Sequence, residues 1–283
     1  LAGLESGGQV RANTQLMQAK SFIYEMEEGD WVLSVGRSAV RYGVITSKPY
    51  IEREIISIVY DNETGRKVDM DKHLRRKVSW GPVIKRSELP YGLAQSLRAR
   101  QTVTNLDKHW QALHHSIYPA FKANGNLYLS IKIATENDIE SYAVMNLFKL
   151  LNEIEVIGKA IANGVEINNF EEVFSQYLDN GLLSVTTKAQ FHSPGEIWSM
   201  IRGANGDKAK WLIPTVFAYS MLFGNSHLGF DGVIDLETRQ KIWDVVISRL
   251  EENDTKKYVN KLELQMPKAK TEVLEVESKR ALN

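Results

Sequence analysis

The chain has 283 residues, with 35 Lys+Arg against 35 Asp+Glu, 43% hydrophobic content and no cysteine. These are globular values with room for two ordinary domains, and they exclude disulfide staples, thiolate metal sites and cysteine nucleophiles. A net charge of zero excludes a uniformly basic surface, so any hold on a polyanion must come from a local patch.

Residues 13–25 carry Leu16, Phe22 and Ile23 at helical spacing, and Asn13 or Thr14 can cap them. Glu28, Gly29 and Asp30 then predict a turn, and Trp31 to Leu33 a strand. A second turn is expected at 36–38, followed by a strand over 40–46 in which Gly43 marks a bulge or a close backbone approach. Ile55 to Tyr60 is a further β-branched run, closed by the turn residues 61–65. Lys77 to Trp80 with Val83 and Ile84 predicts a strand interrupted at Gly81 and Pro82. A short helix over 87–97 and a last extended piece at 102–104 complete the set. Many short strands separated by turn residues indicate a small barrel or sandwich rather than a parallel sheet.

Leu106 to Ile117 predicts a helix stopped by Tyr118 and Pro119. Asn124 and Gly125 are expected as a linker, which places the domain boundary at about 120: residues 1–120 and 121–283. Leu127, Leu129, Ile131 and Ile133 alternate with polar residues as a half-buried strand does. From 138 to 163, Met145, Phe148, Leu151, Ile154 and Ile157 recur as one face of a long helix, ended by Asn163 and Gly164. A helix over 170–178, a strand over 182–191 and a helix over 237–252 with Trp243, Val246, Ile247 and Leu250 facing the core follow. The run 211–224 is the most apolar stretch. At 14 residues it falls short of the roughly 20 that span a bilayer, and Pro214 is expected to break it as a helix, so it is expected as a buried core element. The Lys/Glu-rich tail after Met266 is expected to be a solvated surface segment. The chain opens on Leu1, so a native start upstream is expected, and the lack of cysteine fits a reducing cytoplasm.

Met26, Gly29, Asp30 and Val32, then Tyr42, Gly43, Val44, Ile45 and Thr46, then Arg76, Lys77, Val78 and Trp80, and last Thr102 and Val103 form an ordered set. Over roughly residues 10–118 that set resembles the PUA-like, EVE-type module at the N-terminus of Mrr-type restriction proteins and related bacterial defence proteins. The resemblance implies a small β-barrel that recognises DNA or RNA, modified bases included. A base lifted from its stack needs an aromatic face and hydrogen bonds to its edge. Trp31, Tyr42, Tyr50 and Trp80 are the candidates for stacking, and Arg41, Arg75, Arg76 and Lys77 for phosphate. Each has an ordinary alternative, since strand tryptophans commonly fill cores and basic runs commonly face solvent.

Nuclease chemistry is the minority expectation. Asp231, Asp235 and Glu237 loosely match the acidic part of a restriction-nuclease site, but the lysine that should follow two positions on is missing, and Asp235 also suits a helix cap. His109, His114 and His115 lack the four-residue spacing of a helical metal pair, and Ser193 stands in a turn without a nucleophile elbow. No cofactor or metal is expected. The fold class expected is α+β: a PUA-like barrel followed by a helix-rich α+β domain that mediates homo-oligomer formation or contact with a defence-system partner. An oligomeric scaffold whose barrel serves protein contact is the other alternative.

Overall fold

A computed structural model describes residues 13–61, 65–70, 72–98, 103–167, 169–190, 195–204, 210–223, 236–252, 262 and 264–265. The fold is mixed α+β with antiparallel sheets. It falls into two compact units, which divide between Trp110 and Gln111.

In the first unit a helix over 13–20, α1, loosens into a wider final turn at Ser21–Glu25, where the Met26 amide donates to the Ser21 carbonyl five residues back, at 3.0 Å. Strands β1 (Trp31–Val35), β2 (Ala39–Ile45) and β7 (Val78–Lys85) form a three-stranded sheet in the order β1-β2-β7. Strands β3 (Tyr50–Ile51) and β6 (Leu74–Arg75) form one separate ladder, and β4 (Ile56–Asp61) and β5 (Arg66–Met70) another. Two-residue strands are too short to carry hydrogen bonding round from the larger sheet, and among the described residues no closed barrel forms. Helix α2 (Tyr91–Ser96) follows Pro90. Val103 and Thr104, expected as a closing strand, belong to no ladder.

The register of the three-stranded sheet decides what shares a face, because directly opposed residues on antiparallel strands point the same way. Val40, Tyr42 and Ile84 form the buried face, at 1%, 1% and 5% exposure. Arg41 pairs with Val83, Gly43 with Trp80 and Ala39 with Lys85 on the opposite face. The pairing advances two residues on β2, from Arg41 to Gly43, against three on β7, from Val83 to Trp80. Gly81 and Pro82, expected to interrupt a strand, therefore form a bulge within a continuous one, a position where an N–H-less residue costs no ladder bond.

The second unit starts on α3 (Trp110–Ile117) and contains β8 (Ala120–Ala123), β9 (Asn126–Ile133), α4 (Ser141–Ala162), α5 (Phe170–Asp179), β10 (Thr186–Gln190), β11 (Gly195–Arg202), α6 (Leu212–Phe223), α7 (Leu236–Glu252) and β12 (Leu264–Gln265). Its sheet runs β10-β11-β9-β12, with β8 also on the outer edge of β9. Asn124 and Gly125, expected as a linker, turn β8 into β9 with φ of 48° and 72°. Two successive positive φ values are what a tight hairpin turn with the twist of its strands requires.

Leu127, Leu129, Ile131 and Ile133 point into the core at 3% exposure or less, packed with Leu151, Ile154, Ile157, Ile197 and α6. The apolar run is a core element, as expected, but it is helical through Pro214. That proline stands in the first turn, where an amide has no helical acceptor to lose. Helix α6 packs tightly on α4: a Cβ on Gly158 would lie 1.7 Å from Thr215 Oγ1. Two expected core residues point outward instead. Met145 is 55% exposed while Leu147 and Leu150 are buried, and Trp243 is 43% exposed while Ile242 and Val246 are buried. Among the described residues no helix is long and apolar enough to cross a membrane.

Candidate functional site

The aromatic residues expected to line one pocket are dispersed. Tyr42 is in the core at 1% exposure and presents no ring face to a ligand. Trp31, 36% exposed, pairs with Val44, which places it on the same face as Tyr42 and opposite to Trp80. Tyr50 pairs with Arg75 in the separate β3–β6 ladder. Trp80 alone remains on the open face. Its ring lies against Gly43, where a Cβ would stand 2.8 Å from ring atom Cε3. The glycine is needed for that approach.

The expected phosphate cluster divides as well. Arg76 is half-buried and directed at main-chain carbonyls. Its Nε donates to Phe22 O at 2.9 Å, Nη1 to Ser47 O at 3.0 Å, and Nη2 to Met26 O at 2.8 Å and Ile23 O at 3.2 Å, with the guanidinium over the Phe22 ring at 5.6 Å. The last carbonyls of a helix have no helical donor. A cation is also well placed at that end of the dipole. Arg76 therefore ties the end of α1 to the loop after β2, with all three guanidinium nitrogens engaged by carbonyls. Arg75 is used similarly, donating to Lys72 O at 2.9 Å and Glu54 O at 2.5 Å. The Lys77 side chain is exposed, while its main chain joins the loop after β2 through Ser47 Oγ and Thr46 N.

Of the two expected cations with exposed side chains, Arg41 and Lys77, Arg41 is the one on the open face of the sheet. Its Nε donates to Gly81 O at 3.1 Å, which orients the guanidinium over Trp80 at 5.9 Å from the ring centroid. One ladder step on, Lys85 is exposed on the same face, with no partner among the described residues. Val83, at 59% exposure, and Ser34 complete the surface. Lys85 was missed because Gly81 and Pro82 look like a strand end; strand alternation carried through a bulge is the signal that finds it. The face closes at Ile45, 2% exposed, so its open part runs from Trp80 outward to Lys85. No carboxylate occupies a position on this face of the paired strands. Cations and a π-surface without an opposing acid suit a phosphate-bearing aromatic ligand.

The second unit presents polar side chains that are internally committed. His115, 3% exposed, stacks on Trp198 at 4.7 Å and 2° between planes. Ser130 Oγ donates to Tyr118 O at 2.7 Å, so its single proton is spent. The 2.8 Å contact with His115 Nδ1 must then be donated by the imidazole. Ser130 is consequently not a nucleophile with His115 as its base. The Ser130 carbonyl in turn accepts from the Tyr219 hydroxyl, and burial raises that phenol. Burial, with His114 and Lys188 adding to it, holds His115 down to about 3. Glu196 accepts from Trp198 Nε1 at 3.2 Å, and burial pushes its carboxyl up to about 7 although Lys132 and that hydrogen bond oppose the shift. Glu155 is fully buried and caged by Ser184 N, Ser184 Oγ, Val185 N and Lys159 Nζ, the last at 2.6 Å.

His109 bonds Ser96 Oγ at 2.7 Å, apart from the other two, while His114 and His115 both lie against the Phe121 ring, at 5.3 Å and 4.9 Å. Of the acidic trio, Asp231 and Asp235 lie outside the described residues, as does Ser193. Glu237 is exposed and paired with Lys241 one helical turn away at 2.7 Å. Among the described residues no group of acids and histidines is arranged to hold a metal. No family model matches the chain, and neither curated proteins nor solved structures give a match.

Proposed function

We propose that this chain is a non-catalytic nucleic-acid sensor whose first unit is a PUA-like, EVE-type reading module of the kind found in Mrr-type restriction and related bacterial defence proteins. Its ligand is DNA or RNA, modified bases included, and it works in the cytoplasm. The observation that carries the reading is the open face of the β1-β2-β7 sheet, where Trp80, Arg41 and Lys85 stand together without a carboxylate. On a protein of zero net charge, that local excess of cations is what a polyanion needs.

The second unit serves assembly, with itself or with a defence-system partner. Exposed Tyr142 and Met145 on α4 and Trp243 on α7 favour this role. Of the three acids of the nuclease alternative, Glu237 lies among the described residues, and there it is exposed on α7 and paired with Lys241.

Binding of the purified chain to short DNA and RNA oligonucleotides, with and without modified bases, tests the reading across a salt series. Affinity is expected to fall with salt at a log–log slope of about −2, as two released counterions give. Salt-insensitive or absent binding to every oligonucleotide overturns the sensor. A large assembly in sedimentation under those conditions then establishes the scaffold alternative.

A further inference from the structure

On the reading of the first unit as a nucleic-acid module, we infer that its ligand is a single strand lying across the open sheet face, with Trp80 and Arg41 as the stacking platform and Lys85 as a phosphate contact. An enclosed pocket for a base flipped out of a duplex is a different arrangement, and it requires walls. Extrusion costs a few kcal/mol of lost stacking, which a pocket must return by sandwiching the base between side chains. The aromatics that would supply a second wall are elsewhere: Tyr42 is in the core, Trp31 is on the opposite face and Tyr50 is in another ladder. A flat face with one ring offers a single stacking surface. That is sufficient for bases already free of a duplex, and it is indifferent to their sequence because every base has a π-face.

The three residues form a diagonal across the sheet. Trp80 opposes Gly43, Arg41 lies two residues before Gly43 on β2, and Lys85 lies two residues beyond Val83, the partner of Arg41. Diagonal neighbours of this kind stand roughly 7–8 Å apart. With Nε donating to the Gly81 carbonyl, the guanidinium lies over the Trp80 ring at 5.9 Å from its centroid, and its two terminal nitrogens have no other partner among the described residues. A base can stack on that plane while the terminal nitrogens bind the adjoining phosphate. The indole N–H of Trp80 is likewise without a hydrogen-bond partner among the described residues.

Fluorescence anisotropy with the full chain separates this inference from the reading beneath it. The probes are a labelled mixed-sequence single strand, its duplex, and the same duplex carrying 5-methylcytosine. The single strand is expected to bind about tenfold tighter than either duplex. Trp80→Ala is expected to cost about tenfold, Trp80→Phe to restore most of that loss, and Arg41→Gln and Lys85→Gln each to reduce the salt slope by about 1. Binding of either duplex as tightly as the single strand overturns the inference and leaves the sensor standing; binding of no probe overturns both. Because Trp80→Ala removes a large ring next to Gly43, each variant is checked by circular dichroism. Undiminished single-strand binding by folded Arg41→Gln and Lys85→Gln overturns the site whatever Trp80→Ala does.

Discussion

In the second unit both faces of β9 are covered: Leu127, Leu129, Ile131 and Ile133 point into the main core, while Tyr128 and Ser130 on the alternate face are closed over at 5% and 1% exposure. In the first unit, β2 buries Val40 and Tyr42 on one face and leaves Arg41 exposed on the other. The covered sheet has to satisfy its polar groups from within, so Ser130, His115, Tyr219 and Glu155 are all tied to named partners. The open sheet leaves satisfaction to solvent or ligand. Polarity in a sequence therefore carries opposite meanings in the two units: in the second it marks an internal tie, and in the first it marks either a tie or a site, depending on the face.

The largest effect expected from breaking this contrast is at Glu155. Glu155→Ala leaves Ser184 N and Val185 N without their acceptor and the half-buried Lys159 ammonium without its carboxylate. Removing one partner of a buried pair costs about 3–5 kcal/mol, so the urea midpoint of the second unit should fall strongly while oligonucleotide binding by the first is kept. An unchanged midpoint would show that the cage is not what secures the segment entering β10.

A smaller loss, about 3 kcal/mol, is expected from Arg76→Ala, because several charge-assisted bonds to main-chain carbonyls go together. This variant sharpens the comparison within the first unit itself. Arg76 and Arg41 are both strand-associated arginines, yet one is a tie and one faces the open sheet. Arg76→Ala should lower stability, followed by hydrogen exchange at α1 and the loop after β2, with the salt slope of binding unchanged. A slope reduced by about 1 in the folded fraction would return Arg76 to the phosphate contacts.

The difference between those two arginines was not legible in the sequence. The acceptors of Arg76 are carbonyls, which every residue has, so no side-chain pattern announces them. Register was hidden for a related reason. Trp31 and Trp80 each read as strand aromatics, and only the pairing of Trp31 with Val44 and Trp80 with Gly43 puts them on opposite faces. What was legible had a strong local cause: the alternation of β9, the span of α4 closed by Asn163 and by Gly164 at φ 69°, and Gly43 as a close approach. Helix phase was weaker evidence. Helix α7 carries Trp243 beside Ile242, and the structure buries the isoleucine at 0% while the larger ring stays at the rim. Both choices satisfy a helical period.

The smallest expected effect concerns pH, and it arises from two buried groups of the second unit, on α3 and β11, that titrate in opposite senses. His115, held down to about 3 by burial, binds fewer protons folded than unfolded, so stability rises with pH between about 3 and 6.5. Glu196, pushed up to about 7 by burial, binds more protons folded than unfolded, so its contribution is lost as pH rises from about 4.5 to 7. Lys188 and His114 bear on the first group and Lys132 on the second. Between pH 4.5 and 6.5 the two slopes oppose each other, and the second unit should be nearly flat in urea melts. Glu196→Gln removes one slope and retains the side-chain shape. Its stability should then rise by roughly 2 kcal/mol over that interval, the part of one proton's linkage that His115 supplies. His115→Gln should show the reverse trend. Parallel pH profiles for the wild type and both variants would mean that His115 and Glu196 exchange protons with water as freely as groups on an open surface do, and the contrast between the covered and the open sheet would lose its electrostatic half.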